Sequence, residues 1–417
     1  MSKVVENISV PKYRFPNFLN DGEWQQKSLE SIASFLKGKG ISKADVIQNG
    51  AIPCIRYGEL YTHYSEVIEQ VVSYTNLPLN ELVLSHSNDV IIPSSGETQE
   101  DIATASCVLS NGIALGGDLN ILRSNVNGIF LAYNLTHIKK RAISKLAQGN
   151  AVVHLYSNQL KKLQIHIPKD RKEQEKIANC LSSLDNVIKY ENHKLEILWQ
   201  QKSGVIQKLL PNNIQDMQNI RFPEFQNSKS WKDTTLGEIA DYENGKAHEQ
   251  DIDESGDFIV VNSKFISSDG EVKKFTNTPF CLAQKGDILM VLSDVPNGKA
   301  IAKCFLVEED NRYTVNQRIC RITPNNLNSK ILYYLLNRNP YFLAFDDGVK
   351  QTNLRKEDVL NCPLMIPEDP KEQEKIADTL SSVDELIIAQ GQKLEALQLH
   401  KKGLLQGLFP NLNEVTE

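Results

Sequence analysis

The sequence is poor in the features that most directly assign a function. Its 417 residues hold seven cysteines, Cys54, Cys107, Cys180, Cys281, Cys304, Cys320 and Cys362. None forms a Cys-x-x-Cys pair and none has a histidine at zinc-site spacing, which argues against a disulfide frame and a structural metal site and predicts reduced, buried thiols. Apolar runs fall far short of the roughly 20 residues that span a bilayer, and the opening MSKVVENISVPKYRFPNF has no continuous apolar core, so no membrane partner and a cytoplasmic location are expected. Positive charge is not in surplus either: 46 Lys and Arg stand against 52 Asp and Glu, a net charge of −6 with a pI near 5.9. Any nucleic-acid contact must therefore come from local clusters.

Catalytic signatures are missing as well. No Gly-x-x-x-x-Gly-Lys-Ser/Thr phosphate loop occurs. The eight histidines, at 63, 86, 137, 154, 166, 193, 248 and 400, are dispersed with no evident nucleophile–base partner. Asn277-Thr278-Pro279-Phe280 lacks the second proline of a methyltransferase loop and reads as a turn. Asp257 with Glu271-Val272-Lys273 reads as charged loop, because the first half of the chain has no counterpart to such a nuclease-like set. No catalytic residue and no metal ligand is predicted, which favours a recognition or scaffold protein.

What is present is a repeat. Residues 167–211, IPKDRKEQEKIANCLSSLDNVIKYENHKLEILWQQKSGVIQKLLP, return as 366–410, IPEDPKEQEKIADTLSSVDELIIAQGQKLEALQLHKKGLLQGLFP, at a constant offset of 199, with 24 of 45 positions identical by direct count. A fixed-period repeat outweighs any single motif. After its Ile-Pro turn each copy runs without an internal proline until Pro211 and Pro410, which are predicted to stop two helices. Roughly 40 residues at 1.5 Å rise give a helix of roughly 60 Å.

Apolar residues in these helices alternate steps of four and three, the a/d seam of a coiled coil. The predicted pairing positions are Ile177, Leu181, Leu184, Ile188, Leu195 and Leu198 in the first copy. In the second they are Ile376, Leu380, Val383, Ile387, Leu394 and Leu397. Both seams are interrupted at the same places, by Glu191 and Gln390 and then by Lys202 and Lys401. Such a helix either packs on its own neighbouring domain or pairs with its twin; the matched interruptions favour an antiparallel pair, since polar seam residues fix register and partner.

The duplication extends upstream. Arg14-Phe15-Pro16-Asn17-Phe18 returns as Arg221-Phe222-Pro223-Glu224-Phe225, Trp24 as Trp231, and Gly38-Lys39 as Gly245-Lys246, at an offset of 207. The chain thus reads as α+β: a mixed domain over 1–165, a helix over 166–213, a second mixed domain over 214–364 and a second helix over 365–417. Strands are expected at 51–57, 88–93, 258–261, 287–292, 300–307 and 317–322, and helices at 64–74, 127–146 and 330–336. Lys139, Lys140, Arg141 and Lys145 end the 127–146 helix, where they suit either the helix dipole or a DNA backbone.

This arrangement, with Lys172-Glu173-Gln174-Glu175-Lys176-Ile177-Ala178 and Lys371-Glu372-Gln373-Glu374-Lys375-Ile376-Ala377, the two Arg-Phe-Pro-x-Phe leaders and Lys285-Gly286-Asp287-Ile288-Leu289, resembles the specificity subunit of Type I restriction–modification systems over the full chain. The resemblance implies two tandem target recognition domains, each reading one half of a bipartite double-stranded DNA target. It implies two long helices, paired antiparallel, that set the gap between half-sites. It further implies docking of two methyltransferase subunits, with restriction/translocase subunits joining through the complex. S-adenosylmethionine, ATP and Mg²⁺ would sit on those partners, and this chain would carry no cofactor and no catalysis.

Polar and basic residues on glycine-bounded loops are the DNA-binding candidates, because Lys and Arg meet phosphates while Arg, Asn, Gln and Ser meet base edges. In the first half these are Lys37, Lys39, Lys43, Arg56, Tyr57, Ser94 and Ser95. In the second they are Lys246, Asn262, Lys264, Asn297, Lys299, Lys350, Gln351 and Asn353. Lys39 and Lys246 rank first because they occupy matching positions in otherwise divergent halves. The competing reading is a coiled-coil scaffold that binds protein and reads no DNA sequence; a self-contained restriction–methylation enzyme would need the missing catalytic loops.

Overall fold

The computed structural model describes residues 9–149, 152–210, 221–296 and 298–410. The chain divides into two compact units, Met1–His193 with Gln392–Glu417, and Lys194–Gly391. Each unit holds one mixed domain, one half of the first long helix and one half of the second, so the helices are not separate bodies.

In the first unit a five-stranded sheet runs in the order Ala33–Lys37, Leu119–Ser124, Asp89–Pro93, Ser106–Val108 and Val67–Ile68. All neighbours are antiparallel except the last, parallel pair. Ile91 faces Ile121 and Val90 faces Leu122 across the ladder, and all four are buried. A three-stranded sheet, Ser73–Thr75, Ile52–Ile55 and Ala114–Leu115, stands beside it. The helix Gly128–Tyr133 begins where Asn127 Oδ1 accepts the Phe130 amide at 2.9 Å. It passes through a π-turn at Asn134–Ile138 and continues as Lys140–Leu146. The strand pair Gln25–Ser28 and Gln164–Ile167 closes the domain at the Ile-Pro turn.

One expectation fails here. Residues 64–74 are not a helix: they carry the strands Val67–Ile68 and Ser73–Thr75. Their Val, Ile and Tyr content suits a pleated surface, and Val67-Ile68 pairs with Cys107-Val108, which buries Ile68 beside Ile55 and Leu60. Tertiary pairing overrides the helical spacing.

The second unit repeats the plan. Its main sheet has the order Ala240–Asn244, Ile319–Pro324, Ile288–Val291 and Cys304–Leu306, beside a second sheet of Phe275–Thr276, Phe258–Val261, Tyr313–Val315 and Leu282–Ala283. The strand expected over 300–307 is shortened to Cys304–Leu306, because Ala302 adopts φ 53°, a left-handed conformation that interrupts the regular ladder. The helix Ser329–Leu336 is capped by Asn328 and packs under the sheet, and Lys232–Thr235 pairs with Pro363–Ile366.

The long helices are Arg171–Leu209 and Pro370–Leu408; the second ends before Pro410 as expected, while Pro211 lies outside the described residues. Every predicted pairing residue is buried or half-buried, and most residues between them face solvent. In the first unit Glu191 pairs with Lys393 at 2.5 Å and Asp185 with Lys401 at 2.7 Å, so the two helices run antiparallel. Leu405, Leu408 and Phe409 enter the core with Ile177, Ala178 and Leu181, and Phe409 stacks on Phe130 at 5.3 Å between centroids. In the second unit Lys202 pairs with Asp384 at 2.5 Å, and Val205, Ile206 and Leu209 join the core that holds Ile376, Ala377 and Leu380. Packing on a mixed domain and helix pairing therefore occur together.

Among the described residues no helix is long and apolar enough to cross a membrane and no cluster of His, Cys, Asp and Glu could hold a metal ion. Six of the seven cysteines are buried free thiols, and Cys180 is half-buried.

Candidate functional site

The sheet registers collect most of the predicted polar residues at one end of each mixed domain. In the first unit Lys37 lies opposite Asn120, and Pro93 opposite Leu119, so the ends of three strands meet. The Lys39 amide donates to Leu115 O at 3.0 Å, the Gly116 amide to Ile55 O at 2.9 Å, and the Ser94 amide to Asp118 O at 2.7 Å. The turn at 116–118 thus brings Lys37, Lys39, Arg56, Tyr57 and Ser94 into one neighbourhood. Lys43 follows Gly40 on the short turn Lys43–Asp45 and is exposed.

The second unit builds the same end. The Gly245 amide donates to Ile319 O at 2.9 Å and the Lys246 amide to Val315 O at 3.0 Å, the bonds that Gly38 and Lys39 make to Leu119 and Leu115. The shared Gly-Lys dipeptide has a physical cause: a Cβ on Gly38 would lie 1.8 Å from Gly116 O, and one on Gly245 2.1 Å from Asn316 O. Only glycine admits that approach, and the lysine after it is exposed in both units.

A small ladder extends each end. Ser95 pairs with His154 in the first unit and Ser293 with Asn353 in the second. Gln351 Nε2 donates to Ser293 Oγ at 2.7 Å, which places Gln351, Asn353 and Lys350 together. Asp294 accepts the Ala300 amide at 2.6 Å and so holds the loop that carries Lys299. Asn262 follows the strand Phe258–Val261, whose last carbonyl accepts the Asn316 amide, but its side-chain oxygen is occupied in capping the helix Ser263–Ser267. Lys264 is exposed on that helix, and Asn297 lies outside the described residues.

Not every predicted side chain is displayed. Ser94 and Ser95 are buried, and Arg56 is held by Glu59 at 3.3 Å. Two further residues were not singled out in the sequence. His154 is exposed and its Nδ1 lies 3.1 Å from Ser95 Oγ. Arg318 is exposed and its carbonyl accepts the Leu292 amide, the position Asp118 holds in the first unit. Strand register identifies both, and register is not visible in a sequence of divergent halves.

The repeated Lys-Glu-Gln-Glu-Lys-Ile-Ala motif is a latch between helix and domain. Glu173 is fully enclosed and takes both Arg14 Nε and the second Arg14 nitrogen at 2.8 Å, with Trp24 Nε1 at 3.3 Å. Glu372 receives Arg221 at 2.7 and 2.6 Å and Trp231 at 3.2 Å. These bidentate bonds push the Arg14 and Arg221 pKa values up. Gln174 and Gln373 accept the amides of Asn127 and Asn328, each at 3.0 Å, and donate to Pro168 O and Pro367 O. Lys176 and Lys375 lie over the Phe15 and Phe222 rings.

A second matched set lies further along each helix. Tyr133 donates to Asp185, which pairs with Lys401; Tyr334 donates to Asp384 at 2.6 Å, which pairs with Lys202. Lys401 lies 5.6 Å from the Tyr133 ring centroid and Lys202 5.7 Å from that of Tyr334. Burial, and then the bond to the aspartate, raise both phenol pKa values. The lysines that interrupt the seams are the cations of these sets. The first unit adds Glu66, bonded to His137 and 3.6 Å from Lys401. Burial pushes its pKa up, but the His137 bond and Lys401 outweigh it and hold the value at about 2.

The model for the Type I restriction modification DNA specificity domain matches residues 21–199 and 228–399. The chain is 23% identical over 410 residues to the Type I restriction enzyme MjaVIII specificity subunit of Methanocaldococcus jannaschii, covering 93% of this chain and 92% of the relative. Its fold is similar to that of a Type-I restriction-modification system S subunit from M. genitalium, with a TM-score of 0.65, 18% identity, and coverage of 97% and 100% of the two chains. It is also similar to a chain from a structure that addresses complex assembly and conformational transition of the type I R-M system, with a TM-score of 0.56, 15% identity, and coverage of 93% and 98%. With the duplicated domains, the latches and the long helices, these matches mean that the chain belongs to the Type I restriction–modification DNA specificity family.

Proposed function

We propose that the chain is the non-catalytic DNA-reading subunit of a Type I restriction–modification complex, in which each mixed domain reads one half of a bipartite double-stranded target. The observation that carries this reading is the equivalent end of the two domains: Gly38-Lys39 and Gly245-Lys246 make the same backbone bonds, while the residues around them differ. Equivalent frames with different side chains suit two different half-sites, hence a target that is not palindromic. The lysines supply phosphate contacts; Arg318, Gln351, Asn353 and His154 supply groups able to read base edges.

The long helices set the gap between half-sites and dock two methyltransferase subunits, through which restriction/translocase subunits join. Their fixed length supports a ruler, since half-site spacing follows protein geometry in other DNA-binding dimers. S-adenosylmethionine, ATP and Mg²⁺ belong to those partners.

Methylome sequencing of cells with and without the gene tests the proposal. One bipartite methylated motif should disappear when the gene is removed; an unchanged set of modified sites overturns the reading. The scaffold alternative is separated by gel shift with the methyltransferase partner on target and scrambled duplexes, where equal affinity for both supports the scaffold.

A further inference from the structure

The first unit contains a cavity of about 840 Å³ on the helical segment 134–141, bounded by the strand Gln164–Ile167 and the last turn of the second long helix. The Tyr13 amide donates to Gly407 O at 2.7 Å and closes one wall. Lys12, Lys139 and Arg141 line the cavity, and no aspartate or glutamate does. Lys12 and Arg141 make no ion pair among the described residues, so a concave, positive surface faces the space.

Two of the lining residues, Asn134 and His166, each leave a polar atom without a partner among the described residues. Asn134 is 2% exposed and His166 9%; Asn134 Oδ1 and His166 Nδ1 are buried and have no hydrogen-bond partner among the described residues. A buried polar atom without a partner is costly, so such atoms point to a group that supplies the missing bond. Burial, and then Lys139, lower the His166 pKa, which leaves a neutral imidazole whose Nδ1 can donate or accept.

The other unit provides an internal comparison. Strand register equates His166 with Met365, because Ile167 and Ile366 face Gln25 and Lys232. The matching caps Asn127 and Asn328 equate Asn134 with Leu335. The cleft that Leu335 and Met365 line is about 240 Å³, with Asp233, Asn339, Pro340 and Tyr341 beside them and no Lys or Arg in its lining. One frame thus places Leu335 and Met365 on a small cleft without a basic residue in one unit, and Asn134 and His166 on a larger, cationic, polar cavity in the other. The fold does not require the polar version.

We propose that this cavity binds a nucleoside phosphate, with the phosphate against Lys12, Lys139 and Arg141 and the uncharged nucleoside bonded by Asn134 and His166. The volume suits a ligand of that size, and a ligand with an anionic end and a neutral polar end matches both halves of the lining. The inference is independent of the half-site reading, because it uses none of the residues gathered at the shared end of the two domains.

Calorimetric titration of the full chain with AMP, inorganic phosphate and adenosine tests it. AMP should bind more tightly than either fragment, and Arg141→Ala should weaken AMP at least tenfold. The double variant Asn134→Leu with His166→Met, which imports the residues of the second unit, should also weaken AMP at least tenfold while keeping or raising the thermal midpoint. Displacement of AMP by a 5′-phosphorylated duplex identifies a strand end as the source of the nucleotide, and no displacement identifies a free one. No AMP binding at millimolar concentration, or equal binding by wild type and both variants, overturns the proposal.

Discussion

Lys401 Nζ lies 2.7 Å from Asp185 Oδ1, and the same relation recurs between Lys202 and Asp384 at 2.5 Å. Each lysine is one of the two polar interruptions in its heptad seam, and each joins an aspartate bonded to a tyrosine of a mixed domain. These two lysine interruptions therefore mark where helix, helix and domain meet. Because the side chains of Lys401 and Asp185 are about one-fifth exposed, screening limits the pair to less than a fully buried ion pair. A double-mutant cycle of Lys401→Met and Asp185→Asn, followed by urea unfolding, should give a coupling of about 1–2 kcal/mol. Additivity within about 0.3 kcal/mol would show that the contact contributes nothing specific.

The latch carboxylates are enclosed more completely. Glu173 and Glu372 are each 1% exposed and each holds an arginine and a tryptophan. Glu173→Ala leaves the Arg14 guanidinium buried without its counter-charge, and losses of this kind are about 3–5 kcal/mol. Glu372→Ala should cost a similar amount through Arg221. Chemical denaturation of the two variants checks this, and a loss under about 1 kcal/mol in either would mean that water takes the place of the carboxylate.

These two sets show what was legible in the sequence and what was not. Leu181, Ile188, Leu394 and their neighbours announce the seam by spacing alone, since a helix has one period. Glu173 and Arg14 lie 159 residues apart, so no local pattern links them; the available signal was that the Arg-Phe-Pro leader and the Glu-Gln-Glu-Lys motif are duplicated together. Residues 64–74 misled because β-branched residues at helical spacing can serve either period, and the partner strand at Cys107-Val108 decides between them. The shared end of the two domains was legible at Lys39 and Lys246, where a glycine must precede the lysine, but not at His154 or Arg318, which only register brings there.

Glu66 gives the first unit a pH dependence. Its pKa is held at about 2, below the ordinary value of 4.5, by His137 and Lys401 against burial. A carboxylate whose folded pKa is depressed contributes stability above its unfolded pKa and loses it as pH falls through the folded value. The contribution, on the order of 3 kcal/mol, should be complete above about pH 5 and decline toward pH 2. Glu66→Gln should flatten that part of the stability curve measured by urea midpoints. An unchanged slope between pH 5 and pH 2 would assign the acid sensitivity to other carboxylates.

The matched lysines give a sharper test of the proposed reading end than any residue proposed to contact bases does. Lys39 and Lys246 follow glycines whose backbones make the same bonds, so their side chains start from the same place on equivalent frames. If they contact phosphates, each neutral replacement removes one charge interaction and should lower the slope of log affinity against log salt by about 1. Lys39→Gln and Lys246→Gln, measured in the complex with the methyltransferase, should therefore weaken target and scrambled duplexes by the same factor. The two effects should also match, because the frames match. A loss confined to the target would make the lysine a base reader, and no loss in either variant would move the DNA path away from this end. The glycine before each lysine permits an independent control: Gly38→Ala drives a methyl into Gly116 O and should lower thermal stability, a structural effect that leaves the salt slope of the remaining folded protein unchanged.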